Sequence, residues 1–172
     1  WQACHEGLQL RRPDMKKSIC VVTSSRADFG ILQKLLKDIK ADGSFDLQIL
    51  ATGGHVAPSQ GSTKNEIEAS GLNITKTLEI YLDSNTERGM AQSMGLAMLL
   101  GTEALQSLRP DMLLVLGDRF ESFAIASAAY SLRVPIVHLH GGETTQGALD
   151  EAYRHAITKM ASLHFTATAE YR

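Results

Sequence analysis

The sequence has few cysteines, no block of basic residues and no long apolar segment, and each absence excludes a class of protein. Its 172 residues carry a formal net charge of -2, which gives no electrostatic reason to expect nucleic acid binding. The two cysteines offer neither a disulfide framework nor a metal-ligand spacing. Cys4 lies in a leader without a pattern, whereas Cys20 lies inside an apolar strand pattern and is expected to be a small core residue.

Targeting segments and the common nucleotide-binding motifs are missing as well. No apolar run is long enough to span a bilayer, and the start lacks the basic, apolar and small-residue order of a secretory signal. A cytoplasmic protein without a membrane partner is therefore the default expectation. The turn after the first strand pattern reads Thr23-Ser-Ser-Arg-Ala-Asp-Phe-Gly30, which is not the Gly-x-Gly-x-x-Gly fingerprint, and no Walker loop occurs.

One domain is predicted, with an extension before it. Residues 1–14 show neither helical nor strand periodicity, so we expect an upstream extension that is disordered or loosely docked. Met15 and two lysines then precede the first strand pattern, and residues 15–172 are predicted to form one Rossmann-like domain. A last strand pattern over 164–168 ends four residues before Arg172, which favours the amino-terminal half of a larger protein.

Strand and helix patterns alternate through residues 15–172. This alternation predicts a doubly wound parallel α/β sheet of about six strands, with helices on both faces. Thr63-x-x-Glu66 resembles a capping box for a short helix, and a long helix is predicted over 87–108, where Met90, Met94 and Met98 are expected to pack into the core. Strands are predicted over 18–23, 45–51, 74–80, 112–116, 134–139 and 164–168.

Polar or glycine-rich sequence follows the strands at four points that should share one edge of the sheet. These points are 24–28, 53–55, 117–119 and 140–143, and they make Arg26, His55 and Arg119 candidates for substrate binding. Arg154, one turn into the last helix, is a fourth candidate. Arg26 either binds a phosphate or carboxylate through its guanidinium fork or forms a salt bridge with Asp28 or Glu121.

Three acids are candidates for proton transfer at that edge. Asp118 follows a buried strand and a glycine, which gives it either a pKa useful for proton transfer or the role of a helix cap. Glu143 follows a glycine pair, and Asp150 begins the next helix. Several acids around one crevice are what an enzyme needs when one group removes a proton and another protonates a leaving oxygen.

His138 and His140, two apart on a predicted strand, should point to the same side, and with Glu143 they raise the possibility of a metal site. A third convincing ligand is missing. Hydrogen-bonded core histidines or acid–base groups are therefore the favoured interpretation, and no metal or cofactor is expected.

Four motifs follow one another along the chain: Thr23-Ser-Ser-Arg-Ala-Asp-Phe-Gly30, Leu116-Gly-Asp-Arg-Phe-Glu121, His138-Leu-His-Gly-Gly-Glu143 and Asp150-Glu-Ala-Tyr-Arg-His-Ala-Ile-Thr-Lys159. In order and spacing they resemble the amino-terminal half of the hydrolysing UDP-N-acetylglucosamine 2-epimerases. This family includes bacterial sialic-acid enzymes and relatives acting on nucleotide-linked N,N'-diacetylbacillosamine. The His-x-His form of the third motif looks closer to the diacetylbacillosamine branch.

The resemblance implies half of a glycosyltransferase-B-like fold, with the active site between two domains and no redox cofactor. The implied reaction eliminates UDP from UDP-N-acetylglucosamine through a 2-acetamidoglucal and adds water to give N-acetylmannosamine. By position, Asp118 matches the catalytic aspartate, Asp150 the acid of the following helix, and Arg26 an arginine near the diphosphate. Some members carry an acid where this chain has His140, so either His140 or Glu143 takes that role.

The resemblance also implies self-association, and it predicts that this half alone is inactive. Three alternatives stay open from the sequence. One is a non-hydrolysing nucleotide-sugar 2-epimerase, the second a sugar-nucleotide-binding or regulatory module, and the third a metal-dependent hydrolase that uses His138, His140 and Glu143.

Overall fold

The computed structural model describes residues 16–58, 61, 63–82, 86–144 and 149–171. The predicted leader over 1–14 lies outside the described residues. Strands and helices alternate as predicted along the described part of the chain. The strands are β1 (Lys17–Thr23), β2 (Phe45–Thr52), β3 (Lys76–Leu78), β4 (Met112–Leu116), β5 (Ile136–Leu139) and β6 (Leu163–Phe165), and the helices are α1 (Arg26–Asp42), α2 (Lys64–Ala69), α3 (Glu87–Leu108), α4 (Phe120–Ser131) and α5 (Leu149–Met160).

The six strands form one sheet in the order β3-β2-β1-β4-β5-β6, and every neighbouring pair is parallel. The predicted doubly wound Rossmann-like sheet is confirmed. The strand order reverses between β1 and β4, where Val21 lies opposite Leu114. In open sheets of this kind the ligand crevice lies outside the carboxyl ends of the strands at that reversal. The turns after β1, β2, β4 and β5 therefore surround one position.

A hydrophobic core lies on each face of the sheet. Side chains alternate along β1, so that Cys20 and Val22 pack into the core on one face and Ile19 and Val21 into the core on the other. Cys20 is fully buried, as predicted, and burial raises the pKa of its thiol to about 12. A strand buried on both faces reads as a continuous apolar run, which is how β1 was recognisable from sequence.

Helix α3 has the predicted bounds, but the prediction for its methionines is wrong at two positions. Met90 and Met98 are 42% and 40% exposed, and Met94 is partly buried against the core. The buried face of α3 consists of small residues with one leucine: Gly89, Ser93, Ala97, Gly101, Ala104 and Leu105. A Cβ at Gly101 would lie 3.2 Å from Ile125 Cγ1 of α4, so the small residues let α3 and α4 approach closely.

Two further expectations differ from the structure. Thr63 is the N-cap residue of α2, but its side chain makes no capping hydrogen bond, so the predicted capping box is wrong. The last strand covers Leu163–Phe165 instead of 164–168. Among the described helices, none is both long enough and apolar enough to cross a membrane.

Candidate active site

The turn after β4 presents Asp118 to the crevice. Gly117 has a φ of 68°, a left-handed conformation that glycine adopts without a steric cost, and Asp118 follows it directly. The N-cap residue of α4 is Arg119, and that cap has no side-chain hydrogen bond. Asp118 is thus not the capping residue of α4. Its carboxylate faces α5 and is 19% exposed.

Arg154 of α5 joins two of the predicted acids. Its Nε donates to Asp118 Oδ2 at 2.9 Å, and Nη2 donates to the same oxygen. Its Nη1 donates to Glu143 Oε2 at 3.2 Å. The Arg154 side chain is only 11% exposed, so both ion pairs are shielded from solvent more than a surface pair would be. A guanidinium can hold two carboxylates in this way because its donors are fixed in a planar fork.

His140 extends this line of charged groups. Its Nδ1 lies 3.2 Å from Glu143 Oε1, and Nε2 has no hydrogen-bond partner within the described part of the chain. The strand β5 ends at Leu139, and His140 has a φ of 58°, which is uncommon for a residue with a side chain. The alternation of β5 therefore does not extend to His140, whose side chain is 44% exposed whereas His138 is buried.

His138 lies beneath the site and is completely buried. Its Nε2 is 2.7 Å from the carbonyl oxygen of Gly117, and its Nδ1 is 3.1 Å from Thr158 Oγ1. Burial is the largest cause that lowers the pKa of His138. Both ring nitrogens are occupied by protein groups, and the described residues contain no group of three His, Cys, Asp or Glu side chains suited to a metal ion.

Asp150 lies in the first turn of α5 and is exposed. It precedes Arg154 by four residues, a spacing that places two side chains on the same face of a helix. The acid at the helix start and the arginine that holds Asp118 thus belong to one face of α5.

On the other side of the strand reversal, Arg26 lines an open groove of about 330 Å³ together with Ser25, Ala27, Gly54 and Thr63. Arg26 is exposed and pairs with Glu66 of α2, which neither of the two suggested salt bridges anticipated. The groove also contains the start of α1, where backbone N–H groups and the helix dipole favour an anion.

His55 was a candidate for substrate binding, but the structure places its ring in the interior. The ring is buried, with Nε2 2.9 Å from Thr23 Oγ1 and Nδ1 2.7 Å from Thr63 Oγ1. Burial is the largest cause that lowers the pKa of His55. The ring also meets Phe29 edge to face, with centroids 6.3 Å apart. With both nitrogens occupied, His55 ties the turn after β2 to β1 and to the start of α2.

Arg119 contacts a buried acid, Glu121, which the sequence analysis considered only as a partner of Arg26 and as part of a motif. Glu121 is 0% exposed, and its Oε1 accepts hydrogen bonds from Tyr81 Oη at 2.7 Å and from Arg119 Nη2 at 3.1 Å. Burial, reinforced by Glu121, raises the pKa of Tyr81 to about 12. A Cβ at Gly53 would lie 2.9 Å from Glu121 Oε1, so the acid also packs against the turn after β2. A local signal marks Glu121, since it is the one charged residue within α4.

Residues 37–172 match the sequence model of the family described as UDP-N-acetylglucosamine 2-epimerase. The chain belongs to this family. The resemblance found in the four sequence motifs is confirmed.

Two curated relatives in this epimerase family are similar over most of the chain. The GDP/UDP-N,N'-diacetylbacillosamine 2-epimerase (hydrolyzing) of Campylobacter jejuni is 41% identical over 91% of this chain and 41% of its own length. The UDP-N,N'-diacetylbacillosamine 2-epimerase (hydrolyzing) of Legionella pneumophila is 42% identical over 90% of this chain and 41% of its own length. The chain thus spans about two fifths of the length of the curated relatives it matches.

The fold of this epimerase-family chain agrees with a solved structure. The UDP-GlcNAc 2-epimerase of Neisseria meningitidis, crystallised with UDP-GlcNAc, superposes with a TM-score of 0.79 at 18% identity, over 90% of this chain and 41% of that chain. This agreement confirms the predicted Rossmann-like domain as one half of a glycosyltransferase-B-like fold.

Proposed function

We propose that the protein containing this chain is a hydrolysing nucleotide-sugar 2-epimerase. The observation that carries the proposal is the continuous line Asp118, Arg154, Glu143 and His140 at the carboxyl edge of the sheet. It combines two carboxylates, a guanidinium and an imidazole within hydrogen-bond distance of one another. Membership of the epimerase family supports this chemistry, and the two relatives described above favour a nucleotide-linked N,N'-diacetylbacillosamine as the substrate.

The reaction needs a proton removed from C2 of the sugar and the nucleoside diphosphate expelled from C1. The resulting 2-acetamidoglucal then takes water at C1 and a proton at C2 from the opposite face, which inverts C2 and releases the free sugar. Positive charge develops at C1 as the diphosphate leaves. The clustered carboxylates of Asp118 and Glu143 can stabilise that charge, and a group fixed in place before the reaction does so most effectively.

We assign proton transfer to side chains that are accessible from the crevice. His140 Nε2 binds no other group among the described residues, while Glu143 contacts its Nδ1 and orients the ring. Histidine is a common general acid or base, so His140 suits one of the two proton transfers, which occur on opposite faces of C2 and therefore need two different groups. Asp150 is the acid assigned by the family motif at the start of α5. We place Arg26 near the diphosphate, since it lines the groove at the start of α1.

UDP-N-acetylglucosamine is the second candidate substrate, because the family itself is described by that sugar nucleotide. The two sugars differ in the substituents of the pyranose ring, whereas the bonds broken and formed are the same. The proposed chemistry therefore does not depend on which of them binds. The cytoplasmic location and the self-association expected from sequence also stay predictions.

The proposal is tested by incubating the complete gene product with each sugar nucleotide in deuterated water and following sugar and nucleotide by NMR. Free sugar inverted and deuterated at C2, together with released UDP, is the expected result for one of the two substrates. Asp118→Asn should lower kcat by roughly 10²–10⁴-fold while the fold is kept. Asp46→Asn, which changes an exposed aspartate on β2, is the control. Return of an intact epimerised nucleotide sugar would instead indicate the non-hydrolysing reaction.

A further inference from the structure

We propose that His138 is a positioning residue that fixes Asp118 and Arg154 relative to each other. It does so through hydrogen bonds with the carbonyl group of Gly117 on one side and the hydroxyl group of Thr158 on the other. The inference rests on the epimerase function proposed above for the role of Asp118. The contacts themselves are properties of the folded chain. His138 is completely buried on β5, and its ring bridges the turn after β4 and helix α5.

The hydrogen bond to Gly117 acts directly on the backbone that carries Asp118. A carbonyl oxygen only accepts, so Nε2 of His138 donates the 2.7 Å hydrogen bond. The carbonyl group of Gly117 and the amide nitrogen of Asp118 belong to one rigid peptide plane. On the other side of the turn, Gly117 N donates to Leu139 O at 2.9 Å. β5 therefore holds both peptides that flank Gly117: Leu139 O accepts from the peptide before it, and the His138 side chain donates to the peptide that leads into Asp118.

The second hydrogen bond acts on the helix that carries Arg154. Thr158 follows Arg154 by four residues, so the two side chains lie on one face of α5. With Nε2 as donor, the neutral ring accepts the Thr158 hydroxyl hydrogen at Nδ1, over 3.1 Å. One ring thus contacts both elements whose side chains form the Asp118–Arg154 ion pair.

Packing around the ring leaves no room for a side chain at Gly141. A Cβ there would lie 2.7 Å from His138 Nδ1 and 2.8 Å from Thr158 Oγ1. Backbone therefore closes over the hydrogen bond between the two residues. Burial lowers the pKa of His138, which agrees with a neutral ring of fixed tautomer.

A positioning role and a space-filling role predict different results for matched substitutions. Gln places an amide N–H donor near the position of the histidine Nε2, so His138→Gln keeps the donor for Gly117. Asn reaches only the Nδ1 side, so His138→Asn loses that donor at similar polarity. In the complete gene product we expect His138→Gln to stay within about tenfold of the wild-type kcat. His138→Asn should lose about 10²-fold in kcat with KM changed less than about threefold, because a displacement of about 1 Å at a reacting group costs that much.

Thr158 gives an independent pair of variants. Thr158→Ser keeps the hydroxyl group and should have nearly wild-type kcat, whereas Thr158→Val keeps the shape and should lose about tenfold in kcat. A space-filling ring predicts that His138→Gln and His138→Asn lose kcat equally and only in proportion to their loss of stability. That result would overturn the inference. Wild-type kcat in His138→Asn would overturn it as well.

A readout on the chain itself separates this inference from the proposed function. Nitrogen-15 NMR should show His138 with its proton on Nε2, and the Asp118 amide signal should move in His138→Asn but not in His138→Gln. An Nδ1-protonated ring, or an Asp118 signal that is the same in both variants, contradicts the positioning role. If the wild-type protein turned over no sugar nucleotide, the epimerase function would fail, and these spectra would still decide whether His138 positions Asp118.

Discussion

Arg154 Nε lies 2.9 Å from Asp118 Oδ2, which joins helix α5 to the turn after the central strand β4. The same guanidinium holds Glu143 through Nη1. Both carboxylates lie on turns, and Arg154 binds each of them from α5. Helix α5 therefore determines how far apart the two carboxylates stand, and four predictions follow from this network and its surroundings.

Substitution of Arg154 should destabilise the fold. In Arg154→Gln the carboxylates of Asp118 and Glu143 lose their shared cation and repel each other. Breaking a fully buried pair costs roughly 3–5 kcal/mol, and partial exposure of these side chains reduces the expected loss of unfolding free energy to about 2 kcal/mol. Urea unfolding measures this loss. Arg154→Lys should recover less than half of the unfolding free energy lost in Arg154→Gln, because an ammonium group cannot reproduce the planar fork. Arg88→Gln, at an exposed position on α3, is the control, and an equal loss there would contradict the prediction.

Loss of the negative charge of Glu121 should lower the unfolding free energy of the chain. In Glu121→Gln one oxygen can still accept from Tyr81 and Arg119, but the new amide N–H group is buried and Arg119 loses its counter-charge. The expected cost is roughly 2–3 kcal/mol in unfolding free energy. Tyr81→Phe should cost about 1 kcal/mol in the wild type and less in the Glu121→Gln background, because a neutral amide is a weaker acceptor than a carboxylate. Equal costs of Tyr81→Phe in the two backgrounds would show that the charge of Glu121 does not strengthen this hydrogen bond.

Two glycines should respond to alanine in opposite directions. Gly141→Ala places a methyl group against His138 and Thr158, and such overpacking typically costs about 1–3 kcal/mol. Gly95→Ala, within α3, meets nothing within 4 Å and should stabilise the chain by about 0.5–1 kcal/mol because alanine favours the helix. Thermal unfolding of both variants beside the wild type tests the pair. A stabilised Gly141→Ala would mean that the site is less tightly packed than described.

Stability should fall on acidification through the histidine range. Burial lowers the pKa values of His55 and His138 in the folded chain, so the unfolded chain binds more protons as the pH drops below about 6.5. The unfolding free energy then falls with decreasing pH, by at most about 1.4 kcal/mol per pH unit for each histidine, until the folded histidine itself takes a proton. Urea unfolding at several pH values between 7.5 and 5.5 measures the slope. His55→Gln and His138→Gln should each flatten this slope. An unchanged slope in both variants would refute the attribution of the pH dependence to these two histidines.

The sheet and the crevice were predictable because they depend on local signals. Continuous β-branched runs such as β1, and glycine followed by charge after β4 and β5, identify buried parallel strands and their carboxyl ends. That reasoning brought Asp118, Glu143, His140 and Arg154 to one edge, where the structure joins them. The long helix α3 was recognisable from its periodicity alone.

The predictions that the structure contradicts concern features that depend on tertiary contacts. Periodicity cannot tell which of two adjacent stripes on a helix meets the core, so the methionines of α3 were assigned inward although its glycines and alanines are the buried residues. A threonine at a helix start has two possible hydrogen-bond partners, and Thr63 contacts His55 instead of capping α2. The pairing of Arg26 with Glu66 likewise depends on which segments meet in space, and a single sequence carries no record of that.

The close approach of Glu121 to Gly53 has a consequence for how these proteins change over evolutionary time. A side chain at position 53 would have to overlap the carboxylate of residue 121 and the backbone of Ser24, so neither position is free to drift while the other stays the same. A lineage that acquires a larger residue at 53 must both shift the backbone of Ser24 and shorten residue 121, and Arg119 then loses its counter-ion. Positions 53, 119 and 121 should therefore be inherited as one unit, although they belong to two different turns of the chain.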